Sequence, residues 1–144
     1  MLRRHERNQD ELLLHDVPVF AGCSGRTMKV LSSLGTRLRI RAGQRLVTTG
    51  DRGSEVLIVL SGVASCLVGG VEEARFGPGD FFGEVATLDG GPRTATVVAS
   101  TDMEVLVLSR VEFETMVKSS PEVAHRVLKS MAHRLRQANA KAVA

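Results

Sequence analysis

The sequence contains no Trp, no Tyr and only five Phe, so a core must be assembled mainly from Val, Leu, Ile and Ala. It has two cysteines, Cys23 and Cys66, with neither CxxC nor Cys/His metal spacing, which excludes a disulfide framework and a zinc-finger site. Reduced thiols in a cytoplasmic protein are the expectation. No run of about 18 apolar residues occurs, and the opening Met-Leu-Arg-Arg-His-Glu-Arg leads into no apolar segment, so neither a membrane span nor a secretory leader is encoded. The histidines, His5, His15, His125 and His133, all fall in helical-looking segments, which argues against a cupin-type metal centre on strands. There is also no nucleophile elbow and no Walker loop, so no enzyme, no metal and no cofactor are expected.

Acidic residues are missing from two stretches, Val17 to Gly50 and everything beyond Glu122, which leaves a net charge of +3 and a pI near 9.3. A nucleic-acid partner would be one reason. In Arg37-Leu38-Arg39-Ile40-Arg41, however, the basic residues alternate strictly with apolar ones, as on a strand with one face in water. The charge therefore reads as solvated surface, with no direct nucleic-acid or membrane contact expected.

What the chain does contain is a change of period. Residues 1–35 read as N-terminal helices, with Asp16-Val17-Pro18 as a break and Ser24 as the N-cap of a second helix that stops at Gly35. Short runs of Val, Leu, Ile and Thr follow, separated by glycines roughly ten residues apart, which predicts strands at 36–41, 45–48, 55–61, 63–68, 72–76, 94–100 and 103–108. The run 55–61 is apolar almost throughout and is expected to be central. Residues 110–144 read as helical again: a short helix at Glu112 to Val117, then a longer one opened by Pro121. The prediction is one domain, mainly β with flanking helices: an antiparallel β-roll, jelly-roll-like, over 36–109, with N-terminal helices and a C-terminal lid helix.

One segment breaks the strand rhythm. Residues 80–93 allow a helical turn at Glu84 to Leu88 and a Gly-Gly-Pro loop between two strands. Gly83 lets the backbone approach a ligand, the turn after it presents unpaired amides, and Arg93 adds a planar cation. Together they suit an anion of phosphate size. A carboxylate at Glu84 would repel such an anion unless the ligand also offered a hydroxyl close by, as a ribose 2′-OH does. That combination favours a nucleotide whose sugar and phosphate are held together in a 3′,5′-cyclic ring.

The run Phe82-Gly83-Glu84-Val85-Ala86-Thr87-Leu88, with Pro92-Arg93-Thr94-Ala95-Thr96-Val97, resembles the phosphate-binding cassette of the cyclic-nucleotide-binding domain family, and Gly50-Asp51-Arg52-Gly53 with Val56 to Leu60 and Ser61-Gly62 resembles its turn motif. The resemblance covers about residues 16–140 and places the cassette at 82–95. It implies cAMP, or less favoured cGMP, as ligand. It also implies backbone contacts from Gly83, Val85 and Ala86, a ribose contact from Glu84, the cyclic phosphate on Arg93, and further contacts from Thr94 and Ala95. The base would lie against Cys66, Ala74 and Phe76, reached by Arg134 or Asn139 from the last helix. In that helix Ala124, Leu128, Met131, Leu135, Ala138 and Ala142 recur at heptad-like spacing, a seam for the barrel mouth or for a partner helix, so a homodimer and an effector protein are the partners expected. Two alternatives stay open: a catabolite-activator-type factor without its helix-turn-helix, and a degenerate interaction module that binds no nucleotide.

Overall fold

The computed structural model describes Gly25, Arg26, Lys29 and residues 33–143, with side chains as far as Ala138. Most of the expected N-terminal helical region, with Cys23, His5 and His15, lies outside the described residues, as does the side chain of Asn139; Gly25, Arg26 and Lys29 are helical. Eight strands follow: β1 (Thr36–Ile40), β2 (Arg45–Val47), β3 (Glu55–Ser61), β4 (Ala64–Val68), β5 (Val71–Phe76), β6 (Phe81–Phe82), β7 (Thr96–Ala99) and β8 (Met103–Ser109). The helices are α1 (Glu84–Asp89), α2 (Arg110–Ser119) and α3 (Pro121–Val143).

The strands form two four-stranded antiparallel sheets, ordered β1-β8-β3-β6 and β2-β7-β4-β5. This is the expected jelly-roll arrangement, built as two facing sheets rather than as a closed barrel. The strand predicted nowhere in the sequence is β6. Its two residues, Phe81 and Phe82, pair with Ile58 and Leu57 and immediately precede the cassette. Two residues are too few to show an alternation, so no period could announce it.

The apolar run of β3 has a direct cause. Val56 and Ile58 face a cluster with Leu106, Leu108, Phe113, Met116, Val123 and Val127, which joins the first sheet to α2 and α3. Leu57 and Val59 face the opposite way, into a cluster between the sheets with Ala64, Phe82, Val97, Ala99, Met103 and Val105. A strand covered on both faces has no polar side to display. Each of the Val, Leu, Ile, Phe and Met side chains among these, taken fully out of water, contributes roughly 1.5–3 kcal/mol.

The first sheet ends on β1, where the basic alternation sits. Arg37 pairs with Glu104 of the adjacent β8, and Arg39 reaches the same carboxylate at 3.9 Å while its side chain stays almost fully exposed. Both arginines lie on an exposed strand, and Leu38 between them is 45% exposed, so the strict alternation does not separate a covered face from a wet one.

The join to α2 is built by a capping box. The Glu112 amide donates to Ser109 Oγ at 3.1 Å and the Ser109 amide donates back to Glu112 Oε1 at 3.0 Å. The other carboxylate oxygen accepts from the Gly35 amide at 2.6 Å, tying the entry of β1 to the start of the helix. Hydrogen bonds from the Ser109 and Gly35 amides hold the Glu112 carboxyl below the usual carboxylate range, with burial acting the other way.

Helix α3 corrects the expected seam. Val123 and Val127 are buried and Met131 packs beside them, so the stripe facing the sheets runs 123–127–131. Leu128 and Leu135 of the heptad-like pattern remain 65% and 63% exposed. The helix thus has two apolar stripes, offset by one position, and only the first is used within the described residues.

Candidate functional site

The cassette begins where β6 stops. Gly83 takes a left-handed conformation (φ 88°), which ends the strand and starts α1 within one residue, and Gly90 ends the helix in the same way (φ 73°). No side chain caps the N-terminus of α1. Its first-turn amides have no acceptor within the helix, as at any helix start. The Gly83 carbonyl accepts from the Thr87 amide at 3.2 Å and from Thr87 Oγ1 at 2.8 Å, which locks the turn. Glu84, Ala86 and Thr87 are buried, whereas Val85 and Leu88 are about half exposed. The Val85 side chain therefore faces away from the core.

Arg93 lies on the loop returning to β7 and is only 8% exposed. Its Nη1 donates to the Gly83 carbonyl and its Nη2 to the Glu55 carbonyl, each at 2.9 Å. The loop that carries it is anchored in turn: Gly50 N donates to Arg93 O and Arg93 N donates to Asp51 O, both at 2.9 Å, and Arg52 bridges Pro92. Burial draws the guanidinium below the usual arginine range, and the charges of Glu55 and Glu84 oppose that pull. Two of the five guanidinium donors are thus bound to backbone carbonyls, and among the described residues no carboxylate is hydrogen-bonded to it. A cavity of about 300 Å³ opens beside it, lined by Arg45–Thr48, Asp51–Glu55 and Arg93.

Glu84 does not pair with Arg93. Its carboxylate, 7% exposed, meets Arg134 Nη1 of α3 at 2.9 Å. The second Arg134 nitrogen donates to the Phe81 carbonyl, and the guanidinium lies 4.6 Å from the Phe81 ring centre and 5.1 Å from that of Phe76. Phe76 in turn stacks on Phe82 at 5.2 Å. Because Glu84 is buried and Arg134 half-buried, removing the arginine alone would leave a buried carboxylate unpaired.

Of the residues expected at the site, the structure brings Gly83, Glu84, Ala86 and Arg93 together and adds Arg134 and Phe76 through the ion pair and the stacked rings. Cys66 is half-buried on β4, opposite Ala74 and Val97, beside the cluster that Phe76 also touches. Thr94 is exposed and Ala95 half-buried just beyond Arg93. Sequence reasoning missed the carbonyls of Glu55 and Phe81, because a backbone oxygen has no residue signature; Gly50 to Gly53, noted as a turn, proves to be the bed of the Arg93 loop.

An antiparallel roll interrupted by a short glycine-flanked helix, a buried carboxylate and a buried arginine defines a small-ligand-binding domain. The Cyclic nucleotide-binding domain family profile matches residues 37–120, more than half of the chain, and the chain belongs to that family. It is 34% identical over 127 residues to the cyclic AMP receptor protein of Thermus thermophilus, covering 85% of this chain and 59% of that protein. It is 30% identical to a cyclic nucleotide-gated potassium channel of Rhizobium etli, covering 92% of this chain and 37% of the channel. The chain therefore spans less than two thirds of either relative. Among solved structures, the Thermus thermophilus catabolite activator protein superposes with a TM-score of 0.73 at 33% identity, over 86% of this chain and 61% of that one. A cyclic nucleotide-binding domain from Methylobacillus flagellatus shares the fold with a TM-score of 0.75 at 24% identity, over 95% of this chain and 82% of that one. Among the described residues no helix is long and apolar enough to cross a membrane, and no group of three or more His, Cys, Asp or Glu could hold a metal.

Proposed function

We propose that this chain is a regulatory sensor that binds cAMP in preference to cGMP through residues 82–95 and reports occupancy through α3. Arg93 takes the cyclic phosphate, Glu84 the ribose 2′-OH, the amides of Gly83 to Ala86 and the Thr94–Ala95 segment complete the clamp, and Cys66, Ala74 and Phe76 face the base. The observation that carries this reading is the ion pair between Glu84 and Arg134. It joins the carboxylate assigned to the ribose to the helix assigned to the signal, so a ligand that claims Glu84 must change the terms on which α3 is held. A ligand moves such an equilibrium only by its differential affinity for the two arrangements, and competition for one carboxylate supplies that difference. No catalytic step is assigned.

Calorimetric titration with cAMP, cGMP and 2′-deoxy-cAMP tests the binding half: tight binding of the first, weaker binding of the other two is expected, and no heat with any of them would overturn the reading. Hydrogen exchange tests the signalling half. The amides of residues 131–142 should change protection when cAMP is added, and unchanged protection in a chain that binds would remove α3 from the mechanism.

The outward stripe of α3 supports a second element of the proposal, a homodimer formed helix to helix. Leu128 and Leu135 are seven residues apart on an exposed face and, with Ala124 and Ala138, give the spacing of a two-helix seam. Light scattering should show a dimer for the wild type and a monomer for the Leu128→Glu/Leu135→Glu chain, which spares the buried stripe. Equal masses would overturn the helix-to-helix contact.

A further inference from the structure

Gly53 has an ordinary backbone conformation, outside the left-handed region that the glycines at 50, 83 and 90 occupy. Nothing in its φ therefore calls for glycine, and the reason must be space. A Cβ built at Gly53 would fall far inside van der Waals contact with Nε, Nη2 and Cζ of Arg93. All three nearest atoms belong to that one guanidinium. Gly83 closes the opposite approach, where a Cβ would meet Arg93 Nη1 at 2.5 Å and the Glu55 carbonyl at 2.7 Å.

The two glycines differ in what a side chain would cost. At Gly83 the clash involves backbone and a positive φ, so the fold itself would have to give. At Gly53 only the far end of a long side chain is in the way, and that end can swing aside toward the cavity lined by Arg45, Arg52 and Glu55. We infer that Gly53 is a positioning residue for the phosphate clamp: its missing side chain lets the Arg93 guanidinium lie across the 50–55 turn, held on the Gly83 and Glu55 carbonyls. This rests on the proposed role of Arg93 but can be tested without it.

Gly53→Ala should remain folded but melt below wild type, because the displaced guanidinium leaves the Glu55 carbonyl without its donor, and bind cAMP about tenfold or more weakly, because it displaces a charge that must meet the phosphate. In an Arg93→Leu background, whose side chain ends short of the colliding Nε, Cζ and Nη2, the same substitution should change the Kd by less than about twofold, since two changes acting through one group do not add. The ligand-free readout is the Arg93 Nε–H resonance, assigned by its loss in Arg93→Lys: it should move or broaden in Gly53→Ala with no nucleotide present. An unmoved resonance, or an undiminished cost of Gly53→Ala beside Arg93→Leu, would overturn the inference. If Gly53→Ala fails to fold, recovery in the double variant supports the positioning role and failure of both overturns it. A wild type that binds no cyclic nucleotide would overturn the proposed function, while the resonance would still decide the role of Gly53.

Discussion

Arg93→Leu is expected to weaken cAMP binding by about 30-fold to several thousand-fold, the loss of about 2–5 kcal/mol that follows when one partner of a desolvated charge pair is removed. The guanidinium is buried and already oriented by two carbonyls, so it meets a phosphate without first giving up much side-chain freedom. The fold should survive. Leucine retains part of the apolar stem, and the Gly83 carbonyl keeps its two bonds from Thr87. Both carbonyls lose their Arg93 donor, and at Glu55, which has no Thr87 to fall back on, the cost is about 1–3 kcal/mol if water cannot replace it. Titration calorimetry measures the affinity and a thermal melt the fold; a folded Arg93→Leu chain that binds within about threefold of wild type would show that the cassette is not where the phosphate sits.

The second large effect concerns Glu84. Glu84→Gln and removal of the ligand's 2′-hydroxyl should each weaken binding by about 1–3 kcal/mol, or about 5- to 150-fold, because each disrupts the same hydrogen bond to an ionised acceptor. Combined, they should cost no more than the larger alone. The ion pair to Arg134 adds a second readout. Glu84→Gln keeps the size of the side chain but removes the charge that holds the guanidinium, so α3 amides near residue 134 should lose protection even without nucleotide. Additive losses in the four-way titration would mean that Glu84 acts on something other than the ribose.

Much of this was legible in the sequence because the responsible forces are local. The glycine-punctuated strands, the first-turn Pro121 and the continuous run of β3 each follow from backbone sterics or from burial on one or both faces. The cassette stood out because a carboxylate, a cation and a close-approach glycine fall within 11 residues, 83 to 93. What escaped depends on register between distant segments. Two phenylalanines become β6 only because β3 lies beside them, and Val85 turns outward only because Glu84 and Ala86 turn in. The apolar spacing of α3 pointed to 124–128–131, yet the sheet takes 123–127–131, the first two positions one residue earlier and Met131 common to both, a choice that helical periodicity alone does not make. Nor could the sequence say that Arg134, offered for the base, would rest on Glu84 and the Phe81 carbonyl.

The order of the two sheets also decides how the domain behaves in a crowded solution. Their four borders are β1, β6, β2 and β5. Two of these are only two and three residues long, too short to template another chain. The longer two carry Arg37 and Arg39 on β1 and Glu72, Glu73 and Arg75 on β5, so an incoming strand would have to desolvate charge at each step. The arginines that first suggested a polyanion thereby serve as gatekeepers against edge-to-edge aggregation.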